Sequence, residues 1–98
     1  VEIPILAMSG TVDPVGAEEQ YTRCDTLDIT WIELSGGCHQ TFGFGGCTTL
    51  DDMEGFRITN AYAMAFARRL VMDDESPEVT GYLDGSISLS DKVVLHRR

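Results

Sequence analysis

Positive charge is scarce in this 98-residue sequence, which has seven lysine and arginine residues against sixteen aspartate and glutamate residues and a formal net charge of −9. Binding to nucleic acid or to an anionic membrane surface depends on a basic patch, so the composition argues against both kinds of partner. The paired arginines at 68–69 and 97–98 are typical of a solvated face. No apolar run approaches the roughly 18 residues that a membrane-spanning helix needs, so no membrane span is predicted.

Cysteine is also scarce, and the three residues Cys24, Cys38 and Cys47 are an odd number, which leaves one outside any single disulfide. Cys38 and Cys47 flank a glycine-rich stretch that a bridge would close. Because His39 follows Cys38 directly, the bridge would also limit the movement of His39. A bridge here would favour a secreted or periplasmic location.

Two other roles for these cysteines are open but weaker. A zinc site built from Cys38, His39 and Cys47 has a spacing that fits no common zinc pattern, and adjacent Cys and His seldom bind one ion. A Cys38 nucleophile is disfavoured because neighbours in sequence do not easily present both groups in the geometry of a catalytic triad. No metal and no cofactor is therefore predicted.

With 43% hydrophobic residues, the chain is expected to form part of one globular domain. The apolar run at residues 3–8 predicts a buried strand. Residues 16–24 predict a short helix, and residues 28–34, rich in β-branched and aromatic side chains, predict a second strand. A loop with five glycines follows at residues 35–47.

A long helix is predicted after this loop, from a cap at Thr48 or Thr49 to about Met72. It ends before Pro77, because proline disfavours a helical residue in front of it. Further along, residues 82–86 predict a turn and residues 92–96 a short strand or an extended tail. The predicted buried stripe of the helix consists of Phe56, Ala63, Phe66, Ala67 and Leu70.

The order strand, helix, strand implies a parallel pair. Parallel sheets need cover on both faces, and a sheet of two strands is only marginally stable. We therefore expect an α/β fold in which residues 1–98 are the edge of a larger doubly wound sheet, with two last parallel strands, a crossover helix, a long final helix and a tail. The apolar run that begins almost at Val1 favours the same interpretation, a segment of a longer or cleaved chain.

Asp13 and His39 follow the two predicted strands, 26 residues apart. Sites in open α/β sheets form at the carboxyl ends of strands, so the two loops should lie side by side. A carboxylate there would accept the Nδ1–H of the imidazole and leave Nε2 free to take a proton. Each residue alone is ambiguous, because Asp-Pro is a common turn pair and a histidine in a glycine loop is more often structural.

Two segments resemble the α/β-hydrolase family. PILAMSGTVDPV is similar to the acid-bearing segment, an apolar strand followed by G-x-x-D-x-x-V, with Gly10 and Asp13 in place and Val15 one position early. IELSGGCHQTF is similar to the histidine segment, G-x-x-H-x-x-F, through Gly36, His39 and Phe42. The likeness covers residues 3–72 and is nearest to dienelactone-hydrolase-like, platelet-activating-factor-acetylhydrolase-like and cutinase-like esterases.

The resemblance implies a serine hydrolase that acts on carboxylic esters, with Asp13 and His39 as acid and base. Val15, Phe42 and Phe44 are near enough in sequence to line the substrate pocket, although packing in the interior is the more common role for either phenylalanine. The chain order in the family is Ser, Asp, His, and the oxyanion-hole donors also lie upstream. No G-x-S-x-G motif occurs in these 98 residues, since none of the serines has that context: Ser9, Ser35, Ser76, Ser86, Ser88 and Ser90. The chain is therefore expected to need an N-terminal segment of the same hydrolase as its partner.

The non-enzymatic alternative is a small α/β interaction module that docks through its apolar strand edge.

Overall fold

The computed structural model describes residues 3–97 of the chain. Within that range the elements are β1 (Ile5–Gly10), α1 (Glu18–Arg23), β2 (Ile29–Leu34), a 3₁₀ turn (His39–Phe42), α2 (Asp52–Val71), α3 (Pro77–Asp84) and β3 (Val93–Arg97). The strand order in the sheet is β1-β2-β3. Strand β1 pairs with β2 in parallel, whereas β3 pairs with the other side of β2 in antiparallel orientation. The predicted α/β class and the predicted parallel pair are both confirmed.

The central strand β2 is covered on both faces, as a strand next to a parallel neighbour should be. On one face Ile32 packs with Ile58 and Tyr62 of α2 in the main hydrophobic core. On the other face the ring of Trp31 lies 5.6 Å from that of Tyr21 in α1. Helix α2 thus lies on one face of the sheet and α1 on the other.

The long helix forms, but its predicted cap and its predicted buried stripe were both wrong. The N-cap is Asp51, whose carboxylate accepts the N–H of Glu54 at 3.2 Å, and neither Thr48 nor Thr49 takes this role. The inner face carries Gly55, Ile58, Tyr62 and Ala65, whereas Phe56 and Phe66 are half-buried and Ala63, Ala67 and Leu70 are exposed.

The inner face of α2 comes close to the 3₁₀ turn at Gly55. A Cβ added at Gly55 would lie 2.6 Å from Cγ2 of Thr41, so the helix meets the 3₁₀ turn at this glycine. Periodicity of large apolar residues does not reveal such a contact, because the residue that makes it has no side chain.

Residues 77–97 form more secondary structure than the sequence pattern predicts. Pro77 begins α3 at a position where its missing N–H costs nothing, and Gly85 ends it with φ +87°. Strand β3 then joins the sheet, so the alternative of an extended tail was wrong and the sheet has a third strand. Ser90, just before β3, donates its hydroxyl to Oε1 of Glu54 at 2.6 Å and fastens this segment to α2.

Among residues 3–97, the outer edge of β1 carries no further strand. Ile5 on this edge is partly exposed, and a largely apolar groove of about 410 Å³ runs between β1 and α1 from Val15 to Leu27. Within the same residues no helix is long and apolar enough to cross a membrane.

Candidate functional site

The loops after β1 and β2 are joined backbone to backbone. Val12 donates its N–H to the carbonyl of Gly37 at 3.0 Å, and Gly36 donates its N–H to the hydroxyl of Thr11 at 2.8 Å. The chains approach so closely at Gly10 that a Cβ added there would lie 2.0 Å from the carbonyl oxygen of Gly37. Glycine at position 10 therefore permits the contact that sets the two loops side by side.

This contact brings Asp13 and His39 together. Oδ2 of Asp13 lies 2.9 Å from Nδ1 of His39, within hydrogen-bond distance. The two side chains have opposite environments, since that of Asp13 is 3% exposed and that of His39 is 74% exposed. The acid is thus enclosed, and the histidine ring is open to an approaching group.

Asp13 is held in place through both of its carboxylate oxygens. Oδ1 accepts the backbone N–H of Val15 at 2.8 Å, while Oδ2 faces the imidazole. The Val15 N–H is the main cause that lowers the pKa of Asp13 below its usual range; burial opposes this effect, and His39 adds to it. Asp13 is therefore ionised near neutral pH and accepts a hydrogen bond from Nδ1–H of His39. The imidazole in this arrangement carries its lone pair on Nε2.

The predicted disulfide between Cys38 and Cys47 is confirmed. Cysteines in a disulfide have no thiolate, so this pairing overturns both the zinc site and the Cys38 nucleophile. Among residues 3–97, no cluster of three histidine, cysteine or acidic side chains could hold a metal ion.

The three residues expected near the substrate occupy different surroundings. Val15 is exposed, lies two residues from Asp13 and lines the groove between β1 and α1. Phe42 is half-buried against the hydrophobic core. Phe44 is 90% exposed at the surface of the glycine-rich loop. Val15 and Phe44 are thus accessible, and Phe42 contributes to packing.

Sequence reasoning missed a second histidine–carboxylate pair. Nε2 of His96 in β3 lies 3.2 Å from Oε1 of Glu33 in β2, and the His96 ring stacks on Trp31 with 4.1 Å between ring centroids. Neither residue stands in a motif, and their proximity follows from the antiparallel pairing of β3 with β2. Only a firm prediction of that pairing could have revealed it.

Comparisons of the chain with protein-family models, with curated proteins and with solved structures gave no match. A functional conclusion therefore depends on the geometry of the site.

Proposed function

We propose that this chain supplies the acid and the histidine of a Ser-His-Asp triad in a serine hydrolase that acts on carboxylic esters, and that it is the C-terminal segment of an α/β-hydrolase. The single observation that carries the proposal is the 2.9 Å contact between Oδ2 of Asp13 and Nδ1 of His39 at the carboxyl ends of two parallel strands. An enclosed acid and an accessible imidazole are what this chemistry requires.

The proposed reaction is acyl transfer through a serine. His39 takes the hydroxyl proton on Nε2 as the serine oxygen attacks the ester carbonyl, and Asp13 stabilises the imidazolium that forms. The imidazolium then returns the proton to the leaving alcohol. In the second half His39 deprotonates water, which hydrolyses the acyl-enzyme and regenerates the serine. Ester hydrolysis of this kind needs no cofactor.

The nucleophile is proposed to come from polypeptide outside these 98 residues, as no serine here stands in a G-x-S-x-G context. Ser9 is buried, and its hydroxyl accepts the indole N–H of Trp31 at 2.8 Å, so it is unsuited to attack. The outer edge of β1 and the apolar groove beside it offer a surface for an N-terminal segment that bears the serine and the oxyanion hole.

The disulfide is consistent with an oxidising compartment, which supports a secreted or periplasmic location.

The test uses the full product of the gene that encodes this chain, assayed for hydrolysis of short-chain esters. The variant His39→Ala should lower turnover by about 10⁴- to 10⁶-fold, because the serine loses its base. The matched control is His96→Ala, which removes the other histidine that faces a carboxylate and should retain turnover. Circular dichroism should show that both variants are folded.

Near-normal ester turnover in His39→Ala would rule out the proposed role of His39. A serine-directed phosphonate gives a second measurement on the same protein. It should label a serine outside residues 1–98 and should label the isolated 98-residue chain at no position. Labelling at a serine within residues 1–98 would contradict the proposal of an external nucleophile.

Within the described residues 3–97 no strand pairs with the outer edge of β1, and this edge also favours a second candidate, a non-enzymatic interaction module that captures a partner strand. The two functions differ in one outcome. A module of this kind would bind its partner equally well with His39→Ala and would never react with a serine-directed phosphonate.

A further inference from the structure

The Cys38–Cys47 bridge joins the segment before His39 to the start of α2. On one side, Cys38 is buried and donates its N–H to the hydroxyl of Thr41 at 3.0 Å. Thr41 is itself buried against Gly55 of α2. This half of the bridge is thus part of the hydrophobic interior, directly next to the histidine.

On the other side, Cys47 is fastened to the first residue of α2. The carboxylate of Asp52 accepts the N–H of Cys47 at 3.2 Å and the N–H of Gly46 at 2.9 Å. The bridge therefore connects the histidine loop to the end of a 20-residue helix that packs on the sheet. The two cysteines are nine positions apart, and the stretch between them buries Thr41 while it leaves Phe44 exposed.

His39 has little else to fix it. Its side chain is 74% exposed, so packing does not hold the ring, and its orientation depends on the backbone at Cys38 and on the hydrogen bond to Asp13. His96 is the opposite case, since its ring is held by stacking on Trp31. A constraint on Cys38 is accordingly a constraint on where Nδ1 of His39 lies.

We propose that the Cys38–Cys47 disulfide is a positioning device for His39, so that the pair with Asp13 is maintained only in the oxidised protein. The inference rests on the proposed function insofar as His39 is the catalytic base. A dithiol reductant donates two electrons and two protons to the S–S bond, which leaves two cysteine thiols and the oxidised, cyclic form of the reductant. The freed loop then lets His39 leave Asp13 while the sheet stays folded.

The experiment compares the two histidines of the chain by ¹⁵N NMR at mildly alkaline pH, before and after treatment with dithiothreitol. Long-range ¹⁵N–¹H correlations distinguish an imidazole protonated on Nδ1 from one protonated on Nε2. In the oxidised chain His39 should be the Nδ1–H tautomer and His96 the Nε2–H tautomer, as their carboxylate contacts require. On reduction the His39 nitrogens should shift toward the values of a free imidazole, and those of His96 should stay unchanged.

Variants separate the bridge from other effects of the reductant. Cys47→Ser should reproduce the His39 shift without dithiothreitol. Cys24→Ser, which leaves the bridge intact, should show the oxidised spectrum and the same response to reduction as the original chain. Unchanged His39 signals after reduction would overturn the proposal. Loss of both histidine patterns would also overturn it, because the bridge would then stabilise the whole fold instead of positioning one residue.

Ester turnover is a second, independent measurement that tests the positioning role of the disulfide separately from the proposed hydrolase function. In the full gene product, reduction should lower ester turnover by about a hundredfold, the cost of displacing a catalytic group by about 1 Å. A His39 shift in a protein with no esterase activity would leave the positioning role intact and contradict the hydrolase. Full activity after reduction, verified by thiol titration, would contradict the positioning role alone.

Discussion

Among residues 3–97, two histidine–carboxylate pairs differ in nearly every respect except the kinds of group that they join. Asp13 and His39 meet between two loops, with the acid 3% exposed and the histidine 74% exposed. Glu33 and His96 meet on the face of the sheet, where both side chains are partly buried, at 26% and 32% exposure. The first pair uses Nδ1 of the imidazole and the second uses Nε2.

The difference teaches that a histidine beside a carboxylate is not by itself a catalytic arrangement. In the first pair the acid is fixed by the Val15 N–H and the ring remains free at Nε2, the nitrogen that can accept a proton from outside. In the second pair Nε2 is already occupied and the ring is covered by Trp31. The proposed function therefore depends on the geometry of the acid and of the open nitrogen, and not on the pairing of a histidine with a carboxylate alone.

The comparison is tested most strongly by removing each acid in turn from the full gene product. Asp13→Asn should lower ester turnover by about 10⁴-fold, because an amide no longer holds the required tautomer or stabilises imidazolium. Glu33→Gln removes the same charge from the other pair and should leave turnover within a fewfold of normal. Steady-state kinetics on both variants gives the two numbers directly.

Two other aspartates control for the choice of acid. Asp25→Asn and Asp28→Asn should leave turnover nearly unchanged, since neither residue contacts His39 in the structure. A larger loss in either variant than in Asp13→Asn would show that another carboxylate serves the histidine and would end the distinction between the two pairs.

A smaller effect should follow from disturbing the backbone contact that only the first pair needs. Gly10→Ala places a Cβ against the carbonyl of Gly37 and should lower the free energy of unfolding by about 3 kcal/mol. Gly16→Ala, in the same loop but with nothing within 4 Å of the added Cβ, should change it by less than about 0.5 kcal/mol. Urea denaturation measures both values. Equal stability of the two variants would mean that the loops are not held together at Gly10.

Local pattern predicted the part of the chain that carries the first pair. Apolar runs ending in turn residues placed two strands and the loops behind them, and strand-helix-strand order required that those strands be parallel. Because parallel strands present their carboxyl ends at one edge, the proximity of the Asp13 and His39 loops followed from topology. The disulfide was predictable for a similar reason, since Cys38 and Cys47 flank one short loop.

The second pair and the inner face of α2 were beyond this reasoning because both depend on contacts between distant segments. The Glu33–His96 contact spans 63 residues and needs the antiparallel register of β3. The buried stripe of α2 includes Gly55, which lies against Thr41 and has no side chain to mark it in the sequence. The predicted stripe included Phe56 and Phe66, which are only half-buried, and left out Ile58 and Tyr62, which are buried.

The smallest expected effect is a dependence of stability on acid pH that the Asp13 carboxylate introduces. The native pKa of Asp13 lies below its usual value, so the native state binds fewer protons than the unfolded chain in the acid range. The stabilisation is thus complete above about pH 4 to 5, where an unfolded aspartate is already ionised, and it is lost as the pH falls through the native pKa. Asp13→Asn should flatten this part of a plot of the free energy of unfolding against pH.

The same measurement separates the two partners of Asp13. Because the Val15 N–H is the largest single cause that lowers the pKa of Asp13, His39→Ala should keep part of the acid dependence that Asp13→Asn removes. Asp84→Asn is the matched reference, since Asp84 accepts the N–H of Ser86 in a similar turn and also has a lowered pKa. Asp84→Asn should also reduce the dependence of the free energy of unfolding on acid pH, while the ¹⁵N chemical shifts of His39 stay unchanged. If His39→Ala abolished the acid dependence as fully as Asp13→Asn, His39 and not the Val15 N–H would be the group that lowers the pKa of Asp13. In that case the histidine would fix the carboxylate, whereas we propose that the carboxylate fixes the histidine.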